Sequence, residues 1–171
     1  MTLKNKKGFT LIELMVAVAI TGVVIFLAGI IHITSINLWI KGSDKVFLQE
    51  ETSFAWNILT TAIRDATEEV EILDNGQKLK LTREDINGNL IWEKTFYKDN
   101  NDLSYITNNE AKKALISNIL HSLTFFDQDK DGKDLYGGVR VEMVLQKGNE
   151  KFVSEKTVDM RNYGLREVYN E

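Results

Sequence analysis

A chain of 171 residues, 43% apolar and 27% charged, is sized for one modest domain plus whatever its apolar N-terminus does. It has no cysteine, which excludes a disulfide framework and a thiolate metal site, and no proline, which leaves no obligatory breaker in a long helix. The formal charge of -4 is unevenly placed: without Lys4, Lys6 and Lys7 the remainder has 18 basic against 25 acidic residues, a poor general match for a phosphate backbone.

Taken in order, the chain opens with those three lysines, then Gly8, then a long apolar run. From Leu14 to Ile31 there is no charge and one hydroxyl, Thr21, and the next charge after Glu13 is Lys41. Such a run can cross a bilayer as a helix, which takes roughly 20 residues for 30 Å. A secretory signal peptide is a poor fit, because the run is too long and no A-x-A-like cleavage site follows it cleanly. A simple signal anchor accounts for the lysines by the positive-inside rule. It does not account for Glu13, since an acid within a spanning helix costs about 2.5–3.5 kcal/mol on insertion scales. The plainer alternative sets Glu13 in the first helical turn, where the helix dipole favours it.

The order of basic leader, Gly8, then Phe9-Thr10-Leu11-Ile12-Glu13-Leu14 and an apolar helix resembles the N-terminus of type IV prepilins and type II secretion pseudopilins. The resemblance covers about 20 residues. It implies cleavage between Gly8 and Phe9 by a prepilin peptidase, methylation of the new N-terminal Phe9, and Glu13 as the signature acid at the fifth residue of the processed chain. A cationic amine at Phe9 and a carboxylate four residues on share a helix face. When subunits stack, Glu13 of one could pair with the terminal amine of its neighbour, in apolar surroundings that make the pair strongly felt.

Past Ile31 the helix is expected to continue, with Trp39 and Lys41 suited to a membrane interface. Beyond Asp44 the pattern turns amphipathic: Phe47, Glu51, Phe54, Ala55, Ile58, Leu59, Ala62, Ile63 and Ala66 fall at helical spacing. Gly42-Ser43 is a soft point within it rather than an end. The spacing predicts one helix from Phe9 to about Thr67, its first half needing lipid or sister helices and its second half a sheet.

Strands follow. Val70 to Leu73, the turn signal Asn75-Gly76, and Lys78 to Arg83 predict a hairpin; Asn87-Gly88 leads into Leu90 to Tyr97, and Leu103 to Ile106 predicts a return. Ala111 to Leu120 suits a short helix or a buried strand equally. Ser122 to Asp127, Val139 to Gln146 and Lys151 to Met160 complete the set. A long helix packed on an antiparallel sheet is an α+β plan, the one the resemblance also implies. The expected division is a leader over 1–8, a membrane and assembly half of the helix over 9–40, and a pilin-like extracytoplasmic domain over 41–171.

In F-F-D-Q-D-K-D-G-K-D-L-Y-G-G, Asp127, Asp129 and Asp131 followed by Gly132 match the opening of an EF-hand calcium loop. The twelfth position, however, is Gly138 instead of a bidentate glutamate, so the competing reading is a solvated turn. Calcium is the one cofactor that the sequence suggests.

Leu123-Thr124-Phe125-Phe126-Asp127 and Thr157-Val158-Asp159-Met160-Arg161-Asn162 are similar to segments of minor, J-type pseudopilins and related minor pilins. They imply a tip-type minor subunit over a major pilin. No catalytic motif is present, and His32 and His121 stand in apolar contexts. Lys78, Lys80, Arg83, Lys112 and Lys113 form no aromatic-interleaved patch for nucleic acid. The reading is a non-enzymatic structural subunit in the cell membrane and then in a pilus or pseudopilus. Its implied partners are the prepilin peptidase, other pilins, a membrane platform and an assembly ATPase. The competing class is a membrane-anchored binding domain that never polymerises.

Overall fold

The computed structural model describes residues 9–161 except 69, 109 and 136. Element order is one helix, α1 (Leu11–Asp65), then eight strands: β1 (Glu71–Leu73), β2 (Lys78–Glu84), β3 (Leu90–Asp99), β4 (Asp102–Thr107), β5 (Lys113–Ile116), β6 (Leu120–Phe126), β7 (Gly138–Lys147) and β8 (Glu150–Asp159). This is the expected α+β layout. The chain divides into two compact units, one ending at Ser43 and one beginning at Asp44.

In the first unit α1 is helical throughout, and all of its large apolar side chains from Leu11 to Ile40 are exposed. Gly42 and Ser43 do not interrupt it, because without proline no backbone donor is lost there.

In the second unit α1 supplies one wall of the core. Leu48, Thr52, Ala55, Trp56, Leu59, Ala62 and Ile63 are buried, at steps of three and four residues. Phe47 and Phe54, expected on this face, lie off it; Phe54 is 52% exposed. The adjacent apolar pair Phe47-Leu48 leaves the stripe ambiguous by one position, and the strands resolve it in favour of Leu48. They also bury Trp56 beside Ala55, and its Nε1–H donates to Ser154 Oγ at 2.7 Å. Fully burying Leu48, Leu59 or Ile63 contributes roughly 1.5–3 kcal/mol each.

The strands form two antiparallel sheets where a single sheet was expected: a five-stranded one in the order β1-β2-β3-β4-β5 and a three-stranded one in the order β6-β7-β8. The ambiguous segment resolves as β5, since Ser104 and Tyr105 of β4 offer it a pairing edge. Leu79, Leu81, Phe96 and Leu103 from the larger sheet and Leu123, Phe125, Val141, Met143 and Leu145 from the smaller one share a single core with α1. The sheets are stitched where β6 meets two turns. Phe125 N–H donates to Gly76 C=O, and Leu120 N–H donates to Asn101 C=O, each at 2.8 Å.

That first contact dictates a glycine. Asp74, Asn75 and Gly76 all have positive φ, so the connection is a four-residue turn, wider than the two residues that Asn75-Gly76 alone suggests. A Cβ at residue 76 would stand 2.7 Å from the Phe125 carbonyl oxygen.

Candidate assembly terminus

The described chain begins at Phe9, which is exposed and non-helical; Gly8 lies outside the described residues. Thr10 is the N-cap and Leu11 the first helical residue, which makes Glu13 the third. Glu13 N–H donates to Thr10 Oγ1 at 3.3 Å, while Glu13 Oε2 accepts from the Thr10 N–H at 2.8 Å and from the Thr10 hydroxyl at 3.0 Å. This is a reciprocal capping box, in which side chain and backbone satisfy each other's orphan groups. The signal was present in the sequence as Thr10-x-x-Glu13 before an apolar run. The membrane-segment reading of Glu13 passed over it.

Glu13 therefore stands in the first turn of a helix long and apolar enough to cross a membrane, with its charge already hydrogen-bonded locally. Its other oxygen, Oε1, has no hydrogen-bond partner among the described residues. One carboxylate oxygen is thus held within the chain. Further along, the hydroxyls of Thr21, Thr34 and Ser35 bond back to the carbonyls four residues earlier, which hides their donors within the apolar run.

The acidic loop is differently built. Asp129 Oδ1 accepts from the N–H groups of Asp131 and Lys133, at 2.8 and 2.9 Å, and Asp129 N–H donates to Lys133 C=O. Gln128 Nε2 donates to Asp134, and Leu135 N–H donates to the carbonyl of Asp127. Gly132 takes φ of 76° to close the turn. Asp127, Asp129 and Asp131 do not converge as ligands. Among the described residues no group of three or more His, Asp or Glu side chains could hold a metal ion. Asp129 works instead as an Asx-turn acceptor.

Lys130 reaches from this loop to Glu155 on β8 at 2.7 Å, and Arg140 meets the same carboxylate at 3.2 Å. The hydrogen bond from Lys130, with that from Arg140, holds the Glu155 carboxyl below its ordinary pKa. Elsewhere the outer face of the larger sheet has a shallow hollow of about 360 Å3 lined by Lys78, Thr95, Tyr97 and Ile106 among others. Its cations are paired, Lys78 with Asp74 and the adjacent Lys80 with Glu71 and Glu93. His32 and His121 are exposed side chains outside any such constellation.

Residues 3–29 match the prokaryotic N-terminal methylation motif, the segment on which the resemblance to type IV pilins and pseudopilins rests. Neither a search of curated proteins nor one of solved structures found a match to the chain.

Proposed function

We propose, from a chain that carries the prokaryotic N-terminal methylation motif, that the protein is a filament subunit of a type IV pilus, competence pilus or type II secretion pseudopilus. The observation that carries the reading is continuity: the matched segment runs directly into an exposed apolar helix that needs lipid or sister helices around it. A peptidase removes residues 1–8 by cutting between Gly8 and Phe9, and Phe9 is then methylated. Residues 9–40 serve as anchor and assembly helix, and residues 41–171 as the extracytoplasmic domain.

Within this reading the capping box supports a division of labour at Glu13. Thr10 holds Oε2, and Oε1 is left for the Phe9 amine of a neighbouring subunit. In a medium of low dielectric constant a charge pair is strong and a mismatched register leaves a charge unpaired, so the contact specifies register as well as affinity. The short segments before the acidic loop and at the end of β8 favour a minor subunit at or near the tip. Assembly then involves a membrane platform, an ATPase and other pilins.

The test is mass spectrometry of the mature N-terminus in cells with active peptidase. Methyl-Phe9 is expected; an intact Met1 leader favours the competing membrane-anchored domain that does not polymerise.

A further inference from the structure

Glycine follows asparagine at two places in the chain, Asn75-Gly76 and Asn87-Gly88. The pair has its own chemistry, because glycine has no Cβ to keep its backbone nitrogen away from the side-chain carbonyl carbon of the residue before it. Both glycines have positive φ and stand in hairpin turns, but the two turns are held differently.

The first turn is tied to the other sheet. Gly76 is buried, its C=O accepts the Phe125 N–H at 2.8 Å, and a Cβ on it would meet the Phe125 carbonyl oxygen at 2.7 Å and Thr124 Cγ2 at 3.2 Å. Bringing the Gly76 nitrogen to Asn75 Cγ moves a residue that β6 holds in place, so the bond between the sheets has to open first.

The second turn closes on itself. Gly88 N–H donates to Asp85 C=O at 3.1 Å, Asp85 N–H donates to Asn89 C=O at 2.9 Å, and Asp85 Oδ1 accepts from the Asn87 and Asn89 N–H groups at 2.8 Å each. Hydrogen bonds from Asn89, and then from Asn87, hold the Asp85 carboxyl below its ordinary pKa. These bonds all lie within residues 85–89. Residues 86–90 are exposed, Ile86 at 97%, and the atom nearest to a Cβ on Gly88 is 4.0 Å away. Such a turn opens locally, without loosening the core or parting the sheets.

We propose that Asn87 is a site of spontaneous deamidation and that the contact with β6 protects Asn75 from the same reaction. The Gly88 nitrogen attacks Asn87 Cγ, an intramolecular step favoured by proximity. A bond forms between that nitrogen and Cγ, the Cγ–Nδ2 bond breaks, and ammonia leaves with the proton that the Gly88 nitrogen gives up. Water then opens the succinimide ring at either carbonyl, giving aspartate or isoaspartate. Either product puts a new carboxylate two residues from Asp85, and isoaspartate also lengthens the main chain of the turn by one carbon. This site does not depend on the filament reading, and its test requires no filament.

The test warms full-length protein in detergent at mildly alkaline pH, folded and in urea, and follows both asparagines by peptide mapping with mass spectrometry that separates asparagine, aspartate and isoaspartate. In the folded protein Asn87 is expected to convert to both products. Asn75 is expected to lag by roughly fivefold or more, the factor for giving up about one net hydrogen bond first. In urea the two are expected to convert at similar rates. Gly88→Ala, which puts a Cβ beside the attacking nitrogen, is expected to slow conversion at 87 severalfold and leave 75 unchanged. The proposal is overturned by an unconverted Asn87, by aspartate without isoaspartate, by Asn75 keeping pace in the folded protein, by a difference that persists in urea, or by a Gly88→Ala rate equal to wild type.

Discussion

Glu13 Oε2 accepts two hydrogen bonds from Thr10, one from its backbone N–H at 2.8 Å and one from its hydroxyl at 3.0 Å. A charge that looks misplaced in an apolar helix is thus held by the residue that caps the helix. Replacing Thr10 by Ala or Val removes the hydroxyl contact and the N-cap, a loss of about 0.5–2 kcal/mol at the helix start. Thr10→Val is expected to lower recovery of the subunit in sheared filaments, and Thr10→Ser to restore it. Glu13→Ala is expected to leave membrane insertion intact and impair incorporation. Immunoblots of filament and membrane fractions read all three, and normal incorporation of Glu13→Ala would sink the proposed role.

Gly76 and Gly88 provide a matched pair. Both have positive φ, 86° and 82°, but a Cβ at 76 meets the Phe125 carbonyl at 2.7 Å, whereas at 88 the nearest atom is 4.0 Å away. Gly88→Ala is expected to cost about 1 kcal/mol, for conformation alone. Gly76→Ala adds displacement of the turn from β6, and is expected to cost more than twice as much. Urea unfolding followed by tryptophan fluorescence compares them; equal costs would mean that the stitch between sheets contributes nothing.

Trp56 joins α1 to β8 through Ser154. Trp56→Phe keeps most of the ring and leaves Ser154 Oγ without its donor, an expected loss of about 1–3 kcal/mol, while Trp56→Ala opens the core and is expected to cost about 3–5 kcal/mol. The same unfolding experiment, read by circular dichroism because the fluorophore is changed, ranks the two.

The pH dependence has a definite sign at Glu155. Lys130 and Arg140 depress its folded-state pKa, so its contribution is complete above the unfolded value, about 4.3 for a glutamate, and fades as pH falls through the lower folded value. Wild type is expected to exceed Glu155→Gln in stability at neutral pH, with the gap narrowing only below about pH 4.3. A gap that is constant across that range would show that the ion pairs contribute no pH dependence.

The acidic loop is expected to be indifferent to calcium. Asp129 Oδ1 is already taken up by two backbone N–H groups, and among the described residues no group of three or more His, Asp or Glu side chains could hold a metal ion. Thermal unfolding at millimolar calcium and with a chelator should superimpose. A calcium-dependent rise in Tm would restore Asp127, Asp129 and Asp131 as ligands.

Much of this molecule is legible from local pattern. The length of the apolar run, the order of leader, glycine, aromatic and acid, and most strand positions follow from spacing of a few residues, because bilayer thickness, backbone periodicity and turn geometry act over that range. Thr10-x-x-Glu13 was equally local, and was obscured only by the stronger membrane signal around it.

Other features depended on what lies across the core. Whether α1 buries Phe54 or Trp56 is set by the strands it meets, since the helical period alone allows both. Lys113–Ile116 is a strand because β4 offers its hydrogen bonds, and a four-residue apolar run cannot report that. The joining of the two sheets rests on the Gly76 and Asn101 carbonyls turning towards β6, and β8 stays at the edge of its sheet because no later described strand pairs with it. Sequence determined which segments are helix, strand and membrane-length apolar run; tertiary structure decided which faces are buried and which backbone edge stays open, because those belong to pairs of segments and not to either one alone.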